Sequence, residues 1–283
     1  MSPAGKDVNQ TALWNGPSGC AWVDAQELID QVFKPLEDLL TLAVPERAGI
    51  DGRVLDVGCG TGGTTLAIAR RLGPRGRCVG VDISEPMIAA ARARAEREHT
   101  AADFIVADAE SHAFEPGSFD AIVSRFGVMF FADSVRAFAN LRHAVRDGGE
   151  LRFIAWRSPA ENPFMTAAER AAAPLLPNLP ARQPDAPGQF AFADRSRVHR
   201  ILDDSGWAAI DIQPIDVECT LPEPELRGYV SRFGPLGRIL PDVDEPLRSQ
   251  VIETVRAAFD PFVDGADARF QAACWMVGAR SPT

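Results

Sequence analysis

Short apolar runs alternate along this chain with amphipathic segments in which apolar residues recur at helical spacing. The apolar runs predict strands over 53–57, 78–81, 104–107, 119–124 and 150–156. The amphipathic segments between them predict helices over 64–72, 85–98 and 134–145. Strands that alternate with helices build βαβ units, so the pattern predicts a doubly wound α/β fold with a mostly parallel sheet.

The flanking segments predict additions to this sheet. Residues 24–43 have helical periodicity, and Pro35 is expected to kink or split that helix. Residues 158–194 are rich in Pro and Ala, which predicts a cap and not a part of the sheet. The remaining elements are predicted as a helix over 195–206, strands over 210–217 and 270–279, and two helices within 223–260.

Composition is typical of a globular protein and is compatible with small-molecule ligands without selecting them. The net charge is −10 and 46% of the residues are hydrophobic, and an acidic surface repels the phosphates of DNA or RNA. The N-terminus lacks the apolar run of a signal peptide, and no segment approaches the roughly 20 apolar residues of a membrane span. The five cysteines form no C-x-x-C pair, which argues against a disulfide framework or a metal site. We therefore expect a cytoplasmic protein with no metal ion.

A glycine-rich turn, DVGCGTGG at 56–63, ends the first predicted strand. Glycines let the backbone turn sharply and let a ligand approach the main chain, and the next helix begins with free N–H groups. Gly58, Gly60 and Gly63 also satisfy the G-x-G-x-x-G spacing of dinucleotide-binding domains, so an NAD-linked oxidoreductase is one alternative. A tight turn with no ligand is another.

Three acidic residues accompany the ends of the first three strands. Asp56 precedes the turn, where a carboxylate repels a pyrophosphate and attracts an ammonium or sulfonium cation. Asp82 ends the second strand and is placed to accept hydrogen bonds from ribose hydroxyls. Asp108 follows the third strand, where it could accept from an adenine amino group. All three are expected at the carboxyl edge of the sheet, where open α/β sheets bind ligands.

As a set, these motifs resemble the class I methyltransferases that depend on S-adenosylmethionine (SAM). VLDVGCGTGG and VGVDIS are similar to the first two motifs of that family, and FIVADAESHAF and FDAIVSRFGVMFF to the third and fourth. AESHAFEPGSFDAIVS resembles the branch of ubiquinone- and menaquinone-type enzymes, in which Leu and Pro usually stand where this chain has His112 and Ala113. WNGPSGCAWVDAQ resembles small-molecule methyltransferases of bacterial origin.

The resemblance implies a Rossmann-like sheet of seven strands with an antiparallel last strand and helical cap insertions. It also implies which residues bind SAM and its product S-adenosylhomocysteine (SAH). Asp56 and Gly58 would hold the methionine end, with Gly60 and Gly62 giving close approach, and Asp82 would bind the ribose. The further cofactor-binding residues implied are Ile83, Asp108 and Ala109 at the adenine, Ser124 on the path to the acceptor, and also Met87 and Trp22. Met87 has an equal alternative as a core residue of its helix.

The acceptor pocket is predicted from position along the chain. Aromatic and apolar residues after the fourth and fifth strands predict an apolar or aromatic acceptor, with the packing of these residues under the cap as the alternative. The residues expected at the acceptor are Trp14, Arg125, Phe126, Met129, Phe130, Trp156 and Phe233. Trp14 and Trp22 are expected either to close over SAM as a lid or to pack on the core. None of the four histidines, His99, His112, His143 and His199, is assigned as a general base.

These expectations give a domain plan and a function. The plan is an N-terminal arm or lid over 1–23, a SAM-binding domain over 24–157, cap insertions over 158–194 and 218–264, and completion of the sheet by 195–217 and 265–283. The expected function is methyl transfer from SAM to a small molecule, with no nucleic acid partner and with a homo-oligomer left open. A non-catalytic SAM-binding protein is the second alternative, beside the NAD-linked oxidoreductase.

Overall fold

A mixed sheet with the strand order β3-β2-β1-β4-β5-β8-β6 runs through the protein. The computed structural model describes residues 9–44, 51–183 and 186–283. The strands are β1 (Arg53–Val57), β2 (Arg77–Asp82), β3 (Asp103–Val106), β4 (Phe119–Arg125), β5 (Val145–Trp156), β6 (Ala208–Pro222), β7 (Val263–Asp264) and β8 (Asp267–Arg280). Among the described residues, seven strands form the main path and the two-residue β7 pairs with β8 at its side.

Helices cover the sheet and form the cap. They are α1 (Gln10–Trp14), α2 (Pro17–Asp24), α3 (Gln26–Ala43), α4 (Gly63–Leu72), α5 (Glu85–Arg97), α6 (Ser134–Ala144), α7 (Pro163–Ala172), α8 (Arg195–Asp204), α9 (Leu226–Arg232), α10 (Gly234–Ile239) and α11 (Glu245–Ala257). Short 3₁₀ turns lie between several of them, including Val128–Phe130 after β4. The predicted α/β architecture is confirmed.

The first five strands are parallel, so their carboxyl ends meet at one edge. β1 pairs with both β2 and β4, and its residues from Val54 onward are buried. Such strands are covered by helices on both faces, which explains their nearly continuous apolar sequences. The N-cap of α5 fixes the turn from β2 into this helix. The Ser84 side chain accepts a hydrogen bond from the Met87 N–H, and Pro86 follows at the start of the helix. The edge that carries the glycine turn is thereby held in place.

The last strand, β8, is antiparallel to both of its neighbours, as predicted. Its pairing with β5 ends at Trp156, which lies opposite Cys274. Its pairing with β6 continues further, from Ile215 opposite Cys274 to Pro222 opposite Asp267. The β6–β8 hairpin therefore extends beyond the end of β5, at the carboxyl edge of the parallel strands. We call residues Ile215–Pro222 and Asp267–Cys274 the hairpin extension.

Several element boundaries differ from the sequence predictions. The described part of the 1–23 segment, which was expected to be an arm or lid, is helical. Pro17 occupies the first turn of α2, where its missing N–H costs nothing. Residues 1–8 lie outside the described residues. Helix α3 is one helix through Pro35 and is not split, since its apolar face, including Phe33 and Leu36, is buried.

The second half of the chain also shows differences. Strand β5 begins at Val145, so the predicted turn at 147–149 lies within it; Gly148 has a φ of 69° and the ladder is irregular there. Strand β6 reaches Pro222, which places sheet inside the segment expected to be cap from residue 218. The segment 223–260 holds three helices and not two, because the glycine at position 234, with a φ of 68°, separates α9 from α10.

Candidate functional site at the carboxyl edge

The glycines of the turn differ in the space around them. Gly58, Gly60 and Gly62 have φ values of 67°, 54° and 85°, in the left-handed region that favours glycine. A Cβ on Gly58 would lie 2.6 Å from the Cα of Gly127 in the loop after β4. A Cβ on Gly60 would meet nothing closer than the Met87 Sδ at 3.6 Å. The turn is thus tightly packed at Gly58 and leaves room for a close neighbour over Gly60.

Asp82 links this turn to the start of α5. Its Oδ2 accepts a hydrogen bond from the Gly60 N–H at 2.8 Å, and its Oδ1 accepts from the Ser84 N–H at 2.9 Å. Burial raises the pKa of Asp82, and these backbone donors act in the opposite direction. A carboxylate offers about four acceptor positions. The side chain therefore retains acceptor capacity for a ligand after both structural bonds are made.

The sequence suggested that Asp56 faces a ligand at the glycine turn. In the structure, Asp56 instead lies beneath the turn. It is 1% exposed, and its Oδ2 accepts from the Thr65 hydroxyl at 2.6 Å. Burial raises the pKa of Asp56 to about 6, while the Thr65 hydrogen bond and the positive charge of Arg125 lower it. The strand direction explains the difference, because Asp56 is still within β1 and its side chain faces α4. Its charge can act on a ligand only through this turn.

Asp108 and Ala109 occupy the loop after β3. Asp108 is exposed, and its Oδ1 accepts from the Glu110 N–H at 2.9 Å. Ala109 is buried, and its carbonyl accepts from the Asn140 side chain at 3.0 Å. Pairing of β2 with β3 continues to Asp82 opposite Val106, so this loop follows the same sheet edge as Asp82. The sheet thus brings these sequence-predicted residues to one edge.

Ser124 and Met87 serve packing in this structure. The Ser124 hydroxyl is fully buried, donates to the Val57 carbonyl at 2.7 Å and accepts from the N–H groups of Gly127 and Val128 at 3.1 and 3.2 Å. A hydroxyl has one hydrogen and two lone pairs, so no capacity is left for a ligand. Met87 is 4% exposed and packs beside Gly60. Both side chains support the turn from beneath.

The two N-terminal helices dock on the β2–α5 turn. Asn15 donates from Nδ2 to the Ile83 carbonyl at 2.9 Å and accepts at Oδ1 from the Glu85 N–H at 2.8 Å. The Ser84 hydroxyl donates to the Trp14 carbonyl at 2.7 Å. Sequence reasoning missed Asn15, because an asparagine beside a glycine reads only as a turn residue. These bonds place α1 and α2 directly beside Asp82.

Aromatic side chains form two groups near this edge. The strand-end cluster is Phe33, Phe126 and Trp156: the rings of Phe126 and Trp156 stack at 4.6 Å and 7°, and Phe33 meets both edge-on. Phe126 has a φ of 67°, which is rare for a bulky residue and marks a constrained position. The cap cluster is a chain of neighbouring rings, Phe130–Trp14–Trp22–Phe233–Tyr229, with centroids 5.2 to 6.2 Å apart.

The remaining acceptor candidates, Arg125 and Met129, are partly and fully buried. Arg125 ends β4 and donates from Nη1 to the Phe33 carbonyl at 3.3 Å. Met129 is 1% exposed and packs in the core. His99, His143 and His199 are exposed, and the His112 ring packs edge-on against Phe114 at 4.7 Å. Within the described ranges, no group of three His, Cys, Asp or Glu side chains is arranged to hold a metal ion.

Comparison with known proteins shows what the segment that forms this edge is similar to. Residues 54–149 match the family described as Methyltransferase domain. That segment runs from β1 to the start of β5 and holds the glycine turn, Asp82 and Asp108. The match is to a methyltransferase domain, and it agrees with the resemblance of these motifs to the class I, SAM-dependent enzymes.

Particular relatives share this domain. The chain is 35% identical over 122 residues to nocamycin O-methyltransferase of Saccharothrix syringae, covering 43% of each chain. It is 36% identical over 112 residues to demethylmenaquinone methyltransferase of Thermus thermophilus, covering 40% of this chain and 50% of that one. The matched region thus spans about half the length of these curated relatives, or less.

The fold likeness extends over the whole chain. Phosphoethanolamine N-methyltransferase 2 of Haemonchus contortus, solved with phosphomonomethylethanolamine and SAH, has a TM-score of 0.59 at 18% identity. The likeness covers 100% of this chain and 62% of that one.

The described helices include none long and apolar enough to cross a membrane.

Proposed function

We propose that the protein transfers the methyl group of SAM to a small acceptor with an apolar or aromatic body. The observation that carries this is the placement of Asp82, bonded to the glycine turn on one side and to the β2–α5 turn on the other, with acceptor capacity left over. SAM supplies an activated methyl group. The acceptors named for the relatives differ from one another, so the relatives support small-molecule methylation without selecting one compound.

The cofactor would lie across the carboxyl edge of β1, β2 and β3. Asp82 would accept hydrogen bonds from ribose hydroxyls, and Ile83 would pack against the adenine. Asp108 would accept from the adenine amino group, with the backbone of Ala109 pairing with the ring. The backbone over Gly60 would allow close approach, and Asp56 beneath the turn would favour a positive charge above it. This plan leaves Ser124 and Met87 as supports of the turn.

The reaction expected is an in-line displacement, in which an acceptor atom attacks the methyl carbon and the sulfonium leaves as a thioether. The protein's part is alignment, and orientation of two reactants can lower a barrier by roughly 7–11 kcal/mol. The strand-end cluster would hold the acceptor body from the sheet side. Trp14 and Trp22 would close the site from the cap side and exclude water. We assign no general base.

The domain plan and the partners belong to the same proposal. Residues 24–157 would carry the cofactor, and the segments 158–194 and 223–262, together with the hairpin extension, would enclose the acceptor. The net charge of −10 supports a small-molecule acceptor over a nucleic acid. A cytoplasmic location and assembly of identical chains remain predictions.

A turnover assay distinguishes methyl transfer from non-catalytic SAM binding and from an NAD-linked reaction. Purified protein would be incubated with methyl-labelled SAM and a panel of small aromatic acids, phenols and amines. Methylation of at least one compound, with SAH released in equal amount, is expected. SAM binding without transfer to any compound or to a cell extract would favour a non-catalytic SAM-binding protein. Binding of NAD in place of SAM would favour the oxidoreductase, which the buried carboxylate of Asp56 disfavours.

A further inference from the structure

The N-terminal helices are fastened to the β2–α5 turn through one side chain. We call residues 10–24, which hold α1 and α2, the strap. The Asn15 amide donates from Nδ2 to the Ile83 carbonyl at 2.9 Å and accepts at Oδ1 from the Glu85 N–H at 2.8 Å. Both partners are main-chain groups of the turn, and the donor and the acceptor of the amide are used in one orientation only. The docked position of the strap is therefore specific.

Close packing accompanies these bonds at Ser84. Its hydroxyl donates to the Trp14 carbonyl at 2.7 Å, and Ser84 is fully buried. Gly19 of α2 is buried beside the same hydroxyl, since a Cβ at position 19 would lie 3.1 Å from the Ser84 Oγ. The strap and the turn are therefore in direct contact at this point.

The strap crosses the carboxyl end of β1. The Trp14 carbonyl is bonded to Ser84 after β2, and the Trp14 ring meets the Phe130 ring after β4 at a centroid distance of 5.2 Å. In the sheet, β1 lies between β2 and β4, and the glycine turn follows β1. Trp14 therefore spans the sheet edge at the glycine turn, from one neighbouring strand to the other.

The far end of the strap reaches the cap. Trp22 packs edge-on against Phe233 at 5.5 Å and against Trp14 at 6.2 Å. The strap thus contacts the cap through aromatic rings and the β2–α5 turn through hydrogen bonds. A segment with few buried contacts opens at a lower free energy than a core strand, so the strap can open while the sheet stays folded.

Asp82 connects the turn under the strap with the proposed cofactor site. Its Oδ1 accepts from the Ser84 N–H at 2.9 Å, and its Oδ2 accepts from the Gly60 N–H at 2.8 Å. In the proposed function, the ribose binds at Asp82 and the adenine packs against Ile83. The strap is thus fastened beside the residues that would hold the adenosine half of the cofactor.

We propose that the strap is a gate over the adenosine half of the cofactor, which must open both when the cofactor enters and when SAH leaves. The inference rests on the proposed methyl transfer. Since the strap is fastened at the residues around the nucleoside, its closure does not distinguish SAM from SAH. Release of SAH after each turnover therefore waits for the strap to open.

Rate constants measured by surface plasmon resonance on the full chain test this gate. Asn15→Ala removes the two bonds to the turn, and Phe233→Leu weakens the ring contact at the far end of the strap. Asn178→Ala, at an exposed position in the cap, is the matched control for the loss of an asparagine side chain. Each protein is exposed to SAH and to 5′-methylthioadenosine, which keeps the adenosine half and lacks the amino acid.

Both variants weaken closure of the strap, so the association and the dissociation rate constants of SAH rise together. The expected rise is about 5- to 100-fold in N15A, from the loss of the two bonds to the turn, and about two- to tenfold in F233L. The affinity, which is the ratio of the two constants, changes less than either of them. Methylthioadenosine shows the same factors, and N178A matches the parent protein.

The inference is overturned if either rate constant of SAH is unchanged in the folded variants. Faster dissociation with unchanged association would mean that Asn15 only adds binding energy. Failure of the parent protein to bind SAH would instead contradict the proposed function. Thermal unfolding shows which variants are folded, and F233L carries the same test should N15A not fold.

Discussion

Asp82 joins the glycine turn to the β2–α5 turn through one carboxylate. Its bonds to Gly60 and Ser84 exist without any ligand, so removal of the side chain would disturb the turn as well as the binding surface. Substitution by asparagine is the more informative change, since one oxygen still accepts a backbone bond. At the residue scale, the Asp82 carboxylate oxygens that support the glycine turn are the atoms that we propose bind the ribose.

Asp82→Asn is expected to weaken SAH binding by about 1.5–3 kcal/mol, because a charge-assisted bond to the ribose hydroxyls is lost. Calorimetric titration at constant salt measures this. Asp103→Asn is the control, since Asp103 is an exposed residue at the start of β3 that pairs with Arg77. Equal affinity of D82N and D103N for SAH would show that Asp82 does not hold the ribose.

Asp56 makes stability depend on pH in a defined window. Its pKa rises from 3.8 to about 6 on folding because the carboxylate is buried, so the folded state holds its proton more tightly than the unfolded state. Asp56 therefore stabilises the fold most below pH 3.8, and this contribution is lost as pH rises toward about 6. The full change corresponds to roughly 3 kcal/mol.

Asp56→Asn removes that titration while leaving an oxygen for the Thr65 hydroxyl. The stability of the variant relative to the parent should therefore grow as pH increases from about 4 to about 6.5 and then stay constant. Urea unfolding across this range measures the difference. Parallel profiles of the two proteins would mean that the buried carboxyl does not titrate in this window.

At the residue scale, the sequence predicted the positions of Asp82 and Asp108 at the sheet edge better than those of the neutral residues. Asp82 and Asp108 follow strand ends, where topology alone sets their position. Asn15 and Tyr229 lie in segments whose placement depends on contacts far along the chain, such as that of Asn15 with Ile83. Ser124 was expected to line the acceptor path, but its hydroxyl is used by backbone groups that no local pattern reveals.

Among the elements, α1 and α2 depend on few contacts for their position. Asn15 and Ser84 supply the polar bonds to the β2–α5 turn, and the cap cluster supplies ring contacts through Trp14 and Trp22. A segment held in this way can open without unfolding the sheet. Opening would expose the carboxyl edge of the sheet, where we propose that the cofactor binds. Closure would exclude water from that edge.

Asn15→Ala is expected to loosen α1 and α2, since it removes both Asn15 hydrogen bonds to the β2–α5 turn, worth together about 1–3 kcal/mol. Amide hydrogen exchange over residues 10–24 should become about tenfold faster or more, with exchange in β1 and β4 unchanged. Asn178→Ala in the exposed part of the cap serves as the control. Unchanged exchange in N15A would show that the rings alone fix these helices.

Elements with strong periodicity were predicted within a few residues, and those with breaking residues were not. Pro35 lies inside α3 because packing of the helix on the sheet outweighs the loss of one backbone bond. Pro17 begins a helix that the flanking glycines had hidden. The same residue type thus interrupts a helix, begins one or is tolerated within one, depending on tertiary contacts.

On the scale of the whole molecule, the sheet edge and the cap contribute different information. The parallel strands β1 to β4 bring together the residues that we propose bind the cofactor, and this arrangement follows from the βαβ pattern of the sequence. In the proposed function, the acceptor lies among the hairpin extension, the cap helices and the N-terminal helices, which meet only in the folded protein. The sequence therefore predicted the cofactor class and left the acceptor open.

The central claim is that the carboxyl edge of the sheet binds an adenosine derivative with a positively charged sulfur. Calorimetric titration of the protein with SAM, SAH and NAD tests it directly. Saturable binding of SAM and SAH at one site per chain, weakened for both ligands in D82N and accompanied by no binding of NAD, is the predicted result. Binding of NAD with no binding of SAM or SAH would contradict the account.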